Sequence, residues 1–216
     1  MDRTKLTYAT SGLLGPSAPE KVVAVGIHWQ RGIVSPDDAF GSVFAPLILS
    51  SGIIPRVAWV FRETRRRGGH VAHVSICNPP QPIINCPLYS HAKESGALRC
   101  GSPSVETVPE VGPMPEDWQF EHHRASIFFD TDLSKKMEEV QAEILVVSGV
   151  ATNVAVEGSV RDASDRGLKV VVLSDCCIAA SSDRHENALK NMEMLATEIM
   201  TADEYVQWLK GANGSS

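Results

Sequence analysis

Residues 145–160, LVVSGVATNVAVEGSV, decide how the chain folds. The apolar run Leu145-Val146-Val147 has the character of a buried strand, and it halts at Ser148-Gly149. A helical stretch begins near Thr152. A strand that turns sharply into a helix at small residues leaves backbone N–H groups aimed at one point, where α/β proteins hold anions or reacting groups. The residue at the centre of this turn is Ala155, whose side chain has no chemistry of its own.

Working outward, further β-branched apolar runs of strand length occur at Lys21–Ile27, His70–Ile76, Lys169–Leu173 and Thr197–Met200, with a short one at Trp118–Glu121. Helical spacing follows Pro55, where Val57, Val60 and Phe61 share a face and Gly68-Gly69 end the run. Leu133–Gln141, Thr152–Arg166 (closed by Gly167) and Ala202–Lys210 also read as helices. Asp183 with Glu186 forms a capping-box pattern for a helix through about Leu195. Strands that are continuously apolar and alternate with helices predict a mostly parallel sheet covered on both faces.

The organisation expected is an N-terminal arm over residues 1–20 that packs on a neighbouring subunit, one domain over 21–211 and a frayed tail at 212–216. Within the domain, residues 78–117 have little periodicity and read as a long loop that shapes substrate choice, with Tyr89 and His91 in it.

Composition narrows the partners. The 216 residues carry 20 Lys and Arg against 26 Asp and Glu, a net charge of −6, with no basic stripe to pair phosphates. Neither a nucleic acid nor a membrane is expected as partner. The cluster Arg65-Arg66-Arg67 reads as a complement to a helix dipole. No secretory signal and no spanning apolar segment are seen, so a cytoplasmic protein is expected. Its five cysteines (Cys77, Cys86, Cys100, Cys176, Cys177) accordingly read as reduced thiols.

In a parallel sheet the loops after the strands share one edge, and ligands bind there. That edge would gather His28, Cys77, Glu121-His122-His123, the Val150–Ala155 turn and Asp175-Cys176.

Four segments carry a resemblance to a known family. GVATNVAVEGSVRDASDRG and KVVVLSDCCIAASSDRHENAL are joined by AVGIHWQRGIVSPDDAFG and EHHRASIFFDTDL, in order along the chain. Together they resemble the isochorismatase-like hydrolases, also called cysteine hydrolases. The resemblance implies a three-layer α/β/α domain with a six-stranded, mainly parallel sheet, often a homodimer or homotetramer. It also implies a catalytic aspartate, lysine and cysteine acting on amide-type C–N bonds. Those three positions fall here on His28, His122 and Ala155, so the set is substituted throughout. The resemblance further implies a cis peptide at Val150–Ala151 and an oxyanion hole from the N–H groups of Ala151 and Ala155.

The function expected is hydrolysis of a small carbonyl, amide or enol-ether substrate, with His28 and His122 as acid and base and water as nucleophile. The alternative is a catalytically silent member that binds a small molecule or serves as a structural subunit, its two histidines merely hydrogen-bonded in a polar pocket. Val150, Thr152, Trp29 and Phe128 are candidate walls of the site. Arg124 is a candidate clamp for a substrate carboxylate, or else a structural ion pair. Cys77 offers a replacement thiol near His28, and His28, Cys77, His122 and His123 together make a chemically reasonable metal set, since imidazole and thiolate suit zinc. Without HxH or CxxC spacing, no metal is assigned, and no cofactor. Glu157, Arg161 and Asp162 are expected to satisfy buried polar groups.

Overall fold

A computed structural model describes residues 13–38 and 40–212. Its strands are β1 (Val22–Ile27), β2 (His70–Ile76), β3 (Trp118–His122), β4 (Ile144–Val150), β5 (Lys169–Ile178) and β6 (Glu198–Met200). They form one six-stranded sheet in the order β3-β2-β1-β4-β5-β6, and every pairing is parallel. The helices are α1 (Arg31–Val34), α2 (Gly41–Ser51), α3 (Ile53–Arg66), α4 (Pro87–Ser95), α5 (Leu133–Glu139), α6 (Glu157–Asp165), α7 (Ser182–Met192) and α8 (Ala202–Ala212).

Side-chain alternation along fully buried strands makes the three layers. In β1, Val22 and Ala24 point to one face, where Val57, Val60 and Phe61 of α3 and Tyr205, Val206 and Leu209 of α8 complete a core. Val23, Val25 and Ile27 point to the other, against Leu133 and Met137 of α5, Val160 and Ala163 of α6, and Ala188 and Met192 of α7. The chain thus buries both faces, as its unbroken apolar strands require.

Several boundaries differ from expectation, each for a local reason. The third helix starts at Ile53, after Gly52 in the left-handed region (φ 66°), and Pro55 sits in a first turn whose N–H groups need no intrahelical partner. The stretch from Thr152 opens with a π-helical turn, Thr152–Val156, and becomes α-helical only at Glu157. The N-cap of α7 is Ser181, whose Oγ accepts from the Arg184 N–H at 3.3 Å, so Asp183 lies in the first turn and not at the cap. β5 runs on past Leu173 to Ile178 because its register against β4 slips between Val147 and Gly149.

The long segment 78–117 contains α4 and two short turns at Pro103–Val105 and Pro109–Val111, each opened by a proline at its first position. Helix α2, with Pro46 inside it, had no periodic signal to announce it. Arg65 does more than face a helix dipole: it makes a two-pronged contact with Asp117, Nε–Oδ1 2.7 Å and Nη2–Oδ2 2.5 Å.

Of the proposed arm, residues 1–12 lie outside the described residues, as do 213–216 of the proposed tail. The described part of the arm packs on its own chain. Leu14 is buried in the α3/α8 core, and the Trp208 indole N–H donates to the Gly15 carbonyl at 3.0 Å.

Gly149 shows how tightly β1 and β4 meet above the core. Its φ is +152°, and a Cβ there would stand 2.5 Å from the Ile27 carbonyl oxygen. Backbone cannot yield as a side-chain tip can, so Gly149→Ala is expected to cost about 3 kcal/mol, at the upper end for overpacking. Urea denaturation with unchanged slope and a lower midpoint would register it.

Candidate active site

Strand order reverses direction between β1 and β4, which opens a crevice beyond their carboxyl ends. His28 leaves β1 with a φ of 61°, uncommon for a residue with a Cβ, while its N–H donates to the Val74 carbonyl at 2.8 Å. From the other side β4 ends at Val150, and the peptide to Ala151 is cis, as the resemblance implies. His122 ends β3, in register with Ile76 of β2.

The two imidazoles meet. His28 Nε2 and His122 Nε2 are 2.6 Å apart, and both residues are buried. His122 Nδ1 lies 2.9 Å from the Ser126 carbonyl oxygen, which can only accept, so that nitrogen carries a proton. Neutral His122 then has its lone pair at Nε2, and the proton in the short contact must come from His28 Nε2. Neutral His28 is left with its lone pair at Nδ1: the Val150 carbonyl near the ring favours a proton there, but the 2.6 Å Nε2–Nε2 contact requires one between the rings and decides the tautomer. These tautomers are assigned from the hydrogen-bond network.

Both rings are held neutral. Burial is the main reason that His28 titrates well below an ordinary imidazole; the neighbouring His122 adds to this, and the Val150 carbonyl opposes it. His122 is lowered to about 4, again chiefly by burial, with the Ser126 carbonyl opposing and His123 adding to the effect. Ser126 itself is anchored: its hydroxyl donates to Asp162 at 2.5 Å, and Arg166 holds the other Asp162 oxygen at 2.7 Å. Asp162 therefore fixes the carbonyl that fixes His122, a more specific task than general satisfaction of polar groups.

A cavity of about 140 Å³ opens beside His28. Val150, Ala151 and Ala155 line it, so the position where the resemblance places a cysteine borders the cavity. Its remaining wall is mostly apolar and comes largely from unexpected elements: Phe40, Phe44 of α2, and Leu88 and Tyr89 of α4. No periodic pattern flagged α2. The aromatic and branched residues of α4 followed a proline, which was the available signal.

His122 lies behind His28 and does not line the cavity. Of the two histidines expected as acid and base, only His28 borders the cavity; the rings stand in series, because each spends Nε2 on the other. Trp29 is core, 2% exposed, its indole N–H donating to Ser148 at 3.3 Å. Phe128 packs on the α5/α6 side under the Arg166 guanidinium. Thr152 is buried and shares a 2.9 Å hydrogen bond with His185 Nδ1, tying the cradle to α7. Arg124 donates to the Ile83 carbonyl at 3.2 Å and lies over the Tyr89 ring, so it braces a wall residue.

Cys77 offers no thiol. It is joined to Cys100 in a disulfide, which corrects the reading of all five cysteines as reduced; Cys86, Cys176 and Cys177 are free. The pair is brought together because Asn78 bridges Arg99, with the Asn78 N–H donating to Leu98 and the Cys100 N–H to Asn78. His123 packs beside this disulfide, Nδ1 3.0 Å from the Cys77 carbonyl. The three residues cluster closely, but sulfurs bonded to each other are not thiolate ligands.

Comparison with known proteins agrees with this architecture. Residues 23–204 match the isochorismatase domain. The chain is 24% identical over 191 residues to an uncharacterized isochorismatase family protein, YwoC of Bacillus subtilis, covering 88% of this chain and 95% of that one. It is 25% identical to maleamate amidohydrolase of Pseudomonas putida, covering 87% and 86%. Among solved structures, a cysteine hydrolase from Pseudomonas syringae pv. phaseolicola superimposes with a TM-score of 0.82 at 19% identity, over 91% of this chain and 96% of that one. With a six-stranded parallel sheet, a cis-peptide cradle after β4 and a domain match across most of its length, the chain belongs to the isochorismatase family.

Proposed function

We propose that the protein is a hydrolase of a small carbonyl, amide or enol-ether substrate in which His28 activates water and His122 positions and buffers it. The observation that carries this reading is the 2.6 Å Nε2–Nε2 contact, which leaves the Nδ1 lone pair on the one histidine that lines the cavity. For an amide, water oxygen bonds to the carbonyl carbon as its proton passes to His28 Nδ1. The Val150 carbonyl favours the protonated ring, and His122 accepts the hydrogen bond from its Nε2. The proton then moves to the leaving nitrogen as the C–N bond breaks, giving a carboxylic acid and an amine. Ala151, whose N–H makes no backbone hydrogen bond among the described residues, is available as a donor to the developing oxyanion.

Maleamate amidohydrolase, by its name, acts on an amide, which supports placing amides in the substrate panel. The test is turnover by the purified protein over matched esters, amides and enol ethers. Turnover of any of them supports the reading. No turnover, combined with a melting temperature raised by one of the compounds, decides for a silent binding protein instead.

The empty thiol seat supplies an independent check. Ala155→Cys places a sulfur in the cavity that His28 lines. With an activated ester it is expected to show a first-turnover burst of alcohol, sensitive to iodoacetamide, that wild type lacks, because an acylated thiol accumulates. Stopped-flow absorbance would reveal it.

A further inference from the structure

Among the described residues, the cavity beside His28 has no Arg, Lys, Asp or Glu in its wall. Phe40, Phe44, Ile76, Leu88 and Leu98 make most of it, and its polar side chains are His28, Asn78 and Tyr89. One N–H of the Asn78 amide donates to the Ala97 carbonyl at 2.8 Å, which leaves its oxygen as an acceptor and its second N–H as a donor. The Tyr89 hydroxyl makes no hydrogen bond to a described residue. Arg124, the obvious candidate to hold an acid, lies behind the Tyr89 ring, 4.5 Å from its centre, gives one N–H to the Ile83 carbonyl and does not line the cavity. The histidine pair supplies no positive charge either, since both rings are neutral.

We infer that this cavity takes an uncharged, largely apolar ligand of about benzene size carrying one neutral hydrogen-bonding group, and that it excludes carboxylates. The size follows from the 140 Å³ volume, because an apolar cavity of about 150 Å³ accepts benzene. The charge selection follows from desolvation: an anion placed there would lose water and gain no counter-ion. A neutral amide or ester loses far less and can be matched by Asn78 and Tyr89. The same selection would expel a carboxylate product and so keep the site free of product inhibition. The inference rests on the reading of this cavity as the substrate site.

Benzamide and benzoate differ in charge at nearly constant shape and make the test direct. Thermal shift and isothermal titration on the full chain at neutral pH are expected to show benzamide binding at least about 100-fold more tightly than benzoate, with methyl benzoate grouping with benzamide. Leu88 lines the cavity and is 39% exposed, so Leu88→Arg introduces a cation where the fold can accept it. That variant is expected to gain benzoate binding; Val154→Lys, at a second half-open wall position, serves if Leu88→Arg melts early. Benzoate binding to wild type as tightly as benzamide, or no binding by any uncharged probe at millimolar concentration, would overturn the inference. Benzamide binding without turnover of any panel compound would leave it standing and sink the hydrolase reading. Turnover of anionic substrates alone would do the reverse.

Discussion

His28→Ala is expected to lower turnover of the best panel substrate by about 10²- to 10⁴-fold, the range for loss of a positioned general base. His28→Gln should do the same with little effect on substrate affinity. His122→Ala is expected to be nearly as damaging, although His122 touches no substrate. Without it the His28 Nε2 proton has lost its acceptor, and either nitrogen of His28 can carry the lone pair. His122→Asn, which can still accept a hydrogen bond, should recover part of the rate, a rescue that a purely space-filling role would not give.

The pH profile separates this site from an exposed histidine. Burial lowers both imidazoles below their ordinary value of 6.5, His122 to about 4. Turnover should therefore stay level from pH 8 down through 6.5 and fall only well below it, where an exposed catalytic histidine would already have lost its activity. Stability has the matching sign. Between pH 6.5 and about 4 the unfolded chain binds protons that the folded pair refuses, so stability falls as pH drops across that window. Replacing both histidines by neutral residues should flatten that part of the curve. A kcat/KM inflection that stayed at pH 6.5 would exclude a buried neutral base.

Asp117→Ala is expected to be the most damaging single change to stability. The Asp117 side chain is 1% exposed and gathers three partners: Arg65 in two-pronged contact, His73 Nε2 at 2.9 Å and the Met114 N–H at 2.9 Å. Burial alone would raise its pKa; the bonds from His73, Arg65 and Met114 outweigh this and lower it to about 2. Removing the carboxylate leaves a largely buried guanidinium unpaired, which costs about 3–5 kcal/mol. For a chain of this size that corresponds to a melting temperature lower by roughly 10 °C, readable by calorimetry.

The folded-state pKa is depressed, so this contribution is complete above the unfolded value near 3.8 and disappears as pH falls through about 2. Asp117→Asn retains the shape without the charge. It should fall between wild type and alanine, and lose the pH dependence of stability in that window. A melting temperature unchanged in Asp117→Ala would mean that Arg65 finds other partners, such as the Gly112 carbonyl it already touches at 3.0 Å.

Much of this molecule is legible from its residues because strands and cradles are local. Val22–Ile27 and Ile144–Val150 are continuously apolar, so each strand announces itself, and a parallel sheet follows from what must cover both its faces. The Ser148–Ala155 turn is equally legible, since small residues are needed wherever backbones crowd, as Gly149 does against Ile27. His28 and His122 could also be singled out along the chain, each at or just past the end of a strand.

Their relation to each other could not. Ninety-four positions separate the two rings. Whether they flank a substrate or stand in series depends on how the ends of β1 and β3 are spaced by β2, and on where the Ser126 carbonyl points. Cys77 and Cys100 likewise look like unrelated thiols until Asn78 pairs with Arg99 and sets them side by side. That Arg124 lies over the Tyr89 ring, thirty-five positions earlier in the chain, was equally invisible in the sequence. Local patterning determined the sheet and the cradle, because those depend on near neighbours in the chain. Tertiary packing alone decided the tautomers, the disulfide and the uncharged wall, because hydrogen bonds and desolvation depend on which distant groups arrive at one place.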